Sequence, residues 1–282
     1  MNNRLLVICG PTGTGKTKLA LHLSKVLNGE IISADSRQVY KYMDIGTGKD
    51  VKGILGYDLV GPKEDFSVSQ YLDFAQKTIR SIWESGRLPI LVGGTGLYIK
   101  AVVDGIETAG VAQNKKLRNK LSKKNVNELF LMLSKVVPPT ARAMNDSDRK
   151  NPRRLIRAIE IASAKVKVSY TKLDFGSVLF VGLTCPKEIL KRRIERRVEE
   201  RIKNGFEKEV EFLKKNDFWD GAAHVTLGYR QWPDIKKWKV EEFKYAKRQM
   251  TWFKKDKRVN WFDVTRPNFE KEVEILTKKW YS

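Results

Sequence analysis

The chain has 282 residues, 41% of them hydrophobic, and its 55 Lys and Arg against 33 Asp and Glu leave a formal charge of +22. That length suits one large α/β core, or a core with a smaller module. No apolar run approaches the thickness of a bilayer, so no membrane association is expected. The charge points to a polyanionic partner, most simply nucleic acid.

Arg4 to Leu27 reads as strand, glycine-rich loop and helix. The apolar run Leu5-Leu6-Val7-Ile8 comes first, and Leu19, Ala20, Leu23 and Leu27 then recur at helical spacing. Met1-Asn2-Asn3-Arg4 leads straight into that strand and leaves no room for a signal peptide, so a cytoplasmic protein is expected. Cys9 and Cys185 end strand-like runs and read as small core residues, not as a disulfide or metal site. Glu30–Ala34 reads as a second strand ending at Asp35, and Tyr57–Val60 as a short third. Val68 to Ser85 has helical spacing. Leu88–Val92 is a fourth strand, followed by Gly93-Gly94-Thr95-Gly96 and a helix. Alternating strands and helices imply a parallel sheet with helices on both faces.

The pattern changes after Gly105. Residues 111–175 hold no convincing strand, and Leu117, Leu121, Leu129, Leu133, Leu155, Ile156 and Ile159 mark helical apolar faces. The same stretch has 16 Lys and Arg against 5 Asp and Glu, so half of the excess charge lies in under a quarter of the chain. The expected organisation is a core from residues 1–110 and 176–282 with a basic helical insert at 111–175. The sheet resumes at Val178–Leu183, helices are expected over Lys187–Lys203 and on to Lys215, and again over Phe243–Lys255, before a last strand at Val259–Asp263 and a closing helix.

Gly10-Pro11-Thr12-Gly13-Thr14-Gly15-Lys16-Thr17 fits G-x-x-x-x-G-K-[ST] between a strand and a helix, which is the setting of a phosphate-binding loop. Backbone N–H groups and the helix dipole would face anionic oxygens. Lys16 would add a point charge, and the Thr17 hydroxyl is placed to hold Mg²⁺. Ligands of open α/β sheets bind beyond the carboxyl ends of the strands, where Asp35 and Thr95 also fall. Asp35 can be a metal ligand, a helix cap or a general base. No carboxylate ends the fourth strand, so phosphates look held rather than cleaved at the terminal bond. Arg193, Arg197 and Arg201 line one side of a charged helix. Most should be solvated, but one near the buried edge could grip a diphosphate. Arg153-Arg154-Leu155-Ile156-Arg157 and Lys247–Lys254 interleave cations with apolar or aromatic residues, as RNA backbones and unstacked bases favour.

Several of these stretches together resemble the tRNA dimethylallyltransferase family. They are Gly10–Thr17, Asp35-Ser36-Arg37-Gln38-Val39-Tyr40, Val92–Tyr98, Asn151–Leu155 with Arg157, Gly228-Tyr229-Arg230, and Lys247-Arg248-Gln249 before Thr251-Trp252-Phe253. The resemblance runs through nearly the whole chain. It implies a P-loop NTPase-like α/β fold and transfer of a dimethylallyl group from dimethylallyl diphosphate to the exocyclic amine of the adenosine 3′-adjacent to the anticodon. Asp35 would take the amine proton. Lys16, Thr95, Arg197 and Mg²⁺ on Thr17 would stabilise the departing diphosphate. Asp35 to Gln38, Thr95, Arg118, Arg153, Arg154, Arg157, Gly228, Tyr229, Arg230, Lys247, Arg248, Gln249 and Trp252 would meet the tRNA anticodon stem-loop. A monomer is expected. An adenylate isopentenyltransferase and a P-loop small-molecule kinase are the alternatives, and the basic insert argues against the first.

Overall fold

The structure is a computed structural model that describes residues 3–49, 51–106, 108, 110–164 and 172–282. Five parallel strands, β1 (Arg4–Cys9), β2 (Gly29–Ser33), β3 (Leu88–Gly93), β4 (Ser177–Thr184) and β5 (Val259–Asp263), stand in the order β2-β3-β1-β4-β5. Strand β1 is central, and Leu5 to Cys9 are 0% exposed. A run this apolar is what a strand covered on both faces requires. Leu6 pairs with Ile90 on one side and Leu179 on the other. The chain first builds outward to β2 and β3 and later to β4 and β5. Its direction of growth therefore reverses at β1, and the crevice beyond Cys9 is a topological switch point.

Helices α1 (Lys16–Val26), α2 (Val68–Glu84) and α3 (Gly96–Asp104) belong to the first half of the core. Helix α2 opens with a capping box in which Ser67 and Gln70 satisfy each other's backbone N–H groups. The expected strand at Tyr57–Val60 does not form. Its only ladder contact is one bridge between Val60 and Tyr40, and Gly56 and Asp58 take positive φ on the way. A chain turning at two of five positions cannot present a continuous hydrogen-bonding edge.

A second compact unit spans Gly105–Thr171, beginning a little before the expected residue 111 and ending short of 175. It holds α4 (Lys115–Leu121), α5 (Val126–Val136), α6 (Pro138–Ala143), α7 (Asp146–Arg149) and α8 (Pro152–Ser163), and no strand among its described residues. Leu121, Leu129, Leu133, Ala141, Leu155 and Ile159 form its own apolar core.

The rest of the first unit carries α9 (Lys187–Lys203), α10 (Phe206–Lys215), α11 (Ile235–Phe253) and α12 (Phe269–Tyr281). Helix α11 starts two turns before the expected Phe243. Asp234 caps it by accepting the Lys237 N–H, a start signal directly after Pro233. Among the described residues no helix is long and apolar enough to cross a membrane.

Candidate functional site

The phosphate loop leaves β1 at Gly10, whose φ is +132° and whose missing Cβ would collide with the Leu183 carbonyl of β4. Thr14 Oγ1 donates to the Pro11 carbonyl at 2.9 Å, and Lys16 Nζ donates to the same oxygen at 2.8 Å. Gly15, in the left-handed region, starts α1. Burial pushes the Lys16 ammonium down to about 8, Arg197 adds to this, and the charge of Asp35 partly offsets it.

Beside the loop, Asp35 closes a tight turn by accepting the Arg37 N–H at 2.8 Å. Thr95 Oγ1 accepts the Ser36 N–H at 3.0 Å and is hydrogen-bonded to the Tyr245 hydroxyl. The end of β2 and the glycine-rich end of β3 are thereby tied together at the crevice. Asp35, Ser36, Arg37, Thr12, Arg230 and Arg248 line a cleft of about 270 Å³ there. A larger cavity of about 500 Å³ is lined by Gly96, Lys100, Trp252, Asp256 and Arg258 and contains none of the phosphate-loop residues.

Helix α11 supplies the far wall. Gln249 is 5% exposed; its Oε1 accepts the Thr12 N–H at 2.8 Å and its Nε2 donates to the Gly94 carbonyl at 2.9 Å. Gly94 has no room for a Cβ because Gln249 lies against it. Two turns earlier, Glu242 faces α9. Arg197 Nη2 donates to Glu242 Oε1 at 2.5 Å and to Thr12 Oγ1 at 2.6 Å, and Arg201 Nη1 donates to Glu242 Oε1 at 3.3 Å. Burial works against the charge of Glu242, but Arg201 and Arg197 more than offset it and hold the carboxyl below its usual range.

The structure divides the expected site residues into two groups. Lys16, Asp35, Thr95 and Arg197 converge on the crevice, and Ser36, Arg37, Arg230 and Arg248 line its cleft. Others turn inward. Gln38 spends its amide on Ser33 and on the Thr47 and Gly48 carbonyls. Tyr229 is 0% exposed and gives its hydroxyl to Glu209, while the Gly228 N–H goes to Gln231. Gln249 is an internal brace, and Trp252 lines the other cavity. These four side chains shape walls instead of offering faces to a ligand in the Asp35 cleft.

In the second unit, Arg118 and Arg157 both grip the buried Glu160, and Arg157 also holds the Thr108 and Val111 carbonyls. Arg154 pairs with Asp148. Arg153 is exposed at the first turn of α8. Lys247 is exposed on α11, against the Phe243 ring.

Glu242 and Tyr245 are site residues that sequence reasoning missed, and Arg201, named there only within a line of arginines, is one it did not assign. Their signal is weak, since each sits in a charged helix and finds its partner only in the fold. Arg201 shares the i, i+4 line of Arg197, so two arginines face inward where one was expected.

A family model described as IPP transferase matches residues 38–256, and one described as isopentenyl transferase matches residues 3–56. The tRNA dimethylallyltransferase of Carboxydothermus hydrogenoformans is 35% identical over 99% of this chain and 98% of its own. That of Bacillus cereus is 38% identical over 97% and 93%. The crystal structure of the tRNA isopentenylpyrophosphate transferase of Bacillus halodurans superposes with a TM-score of 0.71 at 33% identity, covering 99% of this chain and 97% of that one. A eukaryotic dimethylallyltransferase acting on tRNA, at 22% identity and a TM-score of 0.77 over 99% of this chain and 79% of its own, shares the fold. This chain belongs to the IPP transferase family.

Proposed function

We propose that the protein transfers a dimethylallyl group from dimethylallyl diphosphate to the exocyclic amine of the adenosine 3′-adjacent to the anticodon in tRNA, releasing diphosphate. The observation that carries this reading is the convergence of Lys16, Arg197, Asp35 and Thr95 at the switch point beyond β1. Cations gather on the phosphate-loop side and a carboxylate stands opposite, as displacement of a diphosphate by a weak nucleophile requires.

The adenine amine is a poor nucleophile because its lone pair is delocalised into the ring. Asp35 accepts its proton as the new C–N bond forms. The Asp35 turn is fixed by the Arg37 N–H and by Thr95 through Ser36, so the base is held before substrate arrives. The carbon–oxygen bond to the diphosphate breaks as charge builds on the leaving oxygen. Lys16, Arg197 and the loop N–H groups other than that of Thr12, which Gln249 occupies, stabilise that charge.

Mg²⁺ fits the donors present. No group of three His, Cys, Asp or Glu suited to a metal exists among the described residues. Thr17, in the first turn of α1, would hold the ion by its hydroxyl, and a protein with so few ligands of its own suits Mg²⁺, which would keep water and substrate oxygens. When bound, Mg²⁺ supplies neutralisation of the diphosphate oxygens.

The tRNA anticodon stem-loop reaches Asp35 through the cleft of Arg37, Arg230 and Arg248, which take its phosphates. An unstacked base entering that cleft meets Asp35. The basic second unit supplies further phosphate contacts through Arg153 and its neighbours, which an enzyme using free adenylate would not need. The test is mass spectrometry of nucleosides from an anticodon stem-loop incubated with dimethylallyl diphosphate, with adenylate and ATP as competing substrates. Prenylated adenosine confined to the RNA supports the reading. Prenylated adenylate, or phosphate transfer from ATP, contradicts it.

A further inference from the structure

Glu242 is a carboxylate that the chemistry above does not use, yet it stands 4% exposed beside the phosphate loop. Its two oxygens have different tasks. Oε2 accepts the Trp238 indole N–H at 2.9 Å. Trp238 is itself 0% exposed, packed on Phe206 with ring centroids 4.6 Å apart, and the Gly228 backbone presses against it. One end of the carboxylate is thus anchored to a rigid ring. Oε1 takes Arg197 at 2.5 Å and Arg201 at 3.3 Å, and Arg197 continues to Thr12 Oγ1 at 2.6 Å. The line Trp238–Glu242–Arg197–Thr12 runs from the core into the loop without a break.

A guanidinium gripped on one side by a fixed carboxylate has a defined plane, and planar donors meet phosphate oxygens best when that plane is set in advance. The same carboxylate carries the charge that a diphosphate would bring. It holds two cations together without an anionic ligand, and it competes with such a ligand for them.

We propose that Glu242 is a positioning residue for the leaving group: it aims Arg197 at the phosphate loop and tempers the hold of Arg197 and Arg201 on diphosphate, so that the product departs. This rests on the reading that diphosphate binds at the loop. Glu242→Gln keeps the shape and the Trp238 acceptor but removes the charge. Glu242→Asp keeps the charge but withdraws it by one methylene.

The experiment titrates inorganic diphosphate calorimetrically into wild type, Lys16→Ala, E242Q and E242D. It also measures single-turnover prenyl transfer to an anticodon stem-loop in the three forms that retain Lys16. E242Q should bind diphosphate about tenfold more tightly, because the competing anion is gone. It should transfer about tenfold more slowly, because the plane of Arg197 is no longer fixed. E242D should keep the wild-type diphosphate affinity and lose rate. A merely structural role predicts instead that all ligand affinities fall together with thermal stability.

Folded E242Q with diphosphate affinity and rate within about twofold of wild type overturns the assignment. Should E242Q not fold, E242D decides, and an unchanged rate in E242D overturns it. Diphosphate binding that is lost in Lys16→Ala but indifferent to E242Q removes Glu242 alone. Wild type that binds no diphosphate removes the functional reading, and this assignment with it.

Discussion

Gln249 holds Thr12 by its backbone N–H at 2.8 Å, from 237 residues away, and with its other amide atom reaches Gly94. One buried side chain therefore sets the spacing between the phosphate loop and the end of β3, where Thr95 begins its work. Gln249→Leu leaves the buried Gly94 carbonyl unsatisfied, at about 1–3 kcal/mol, and the half-buried Thr12 N–H without its partner, at a smaller cost. The expected outcome is a lower unfolding temperature together with weaker binding of inorganic diphosphate. Calorimetry with diphosphate in a folded Q249L sample that matched wild type would show the loop to be self-supporting.

Lys16 gives the site a pH dependence. Its ammonium is pushed down to about 8, so above that pH the protein without ligand loses this charge. A bound diphosphate favours the charged form, raises the pKa, and takes up a proton. Affinity for dimethylallyl diphosphate should accordingly be fullest below pH 8 and fall as pH rises through it, with proton uptake visible in buffers of different ionisation heat. Lys16→Arg, which does not titrate in this range, should flatten the profile. A wild-type profile as flat as that of K16R would mean that Lys16 stays charged throughout.

Asp35→Asn removes the carboxylate proposed as proton acceptor and leaves the size of the side chain. Turnover should drop by roughly two to four orders of magnitude, the range for a general base. Affinity for the anticodon stem-loop should hold, since Arg37, Arg230 and Arg248 remain. Near-normal single-turnover rates in D35N would assign the proton to another group.

The arginines of the second unit should separate by role. Arg153 is exposed, and neutralising it should flatten the log–log salt dependence of tRNA binding by about 0.7–0.9, the value of one phosphate contact. Arg157 is committed to Glu160 and two carbonyls. Arg157→Gln should instead lower the thermal stability of the unit and leave the slope nearly unchanged once the protein is folded. Equal slope changes in the two variants would show that Arg157 leaves Glu160 when RNA binds.

The sheet and its loops were readable because their signals are local. The apolar run Leu5–Ile8, the glycines after it and the helical spacing of Leu19 and Leu23 all lie within 24 residues of Arg4. Glycine and carboxylate at strand ends likewise located Asp35 and Thr95. The partner of Glu242 was not readable, because Arg197 lies 45 residues away on another helix and nothing in either helix names the other. Tyr229 misled for a related reason. A motif shows that a residue is present, but not whether it faces a ligand or, as here, a buried glutamate. Arg157 was within reach, since Arg157 and Glu160 stand three apart on one helix and such pairs often close on each other.

Strand β1 has neighbours on both sides, and they are made at different times. Strand β3 ends at Gly93, but β4 is complete only at Thr184. At about 5–20 residues per second, a ribosome takes roughly 5–20 s to cross that gap. Throughout it, one long edge of the apolar central strand is without its pair, and such an edge recruits strands from other chains. The residues emerging meanwhile, Gly105–Thr171, have a core of their own and can condense without the sheet. Nascent chains stalled before Ser177 are thus the form most exposed to aggregation, and release of β4 from the ribosome is the step that ends the exposure.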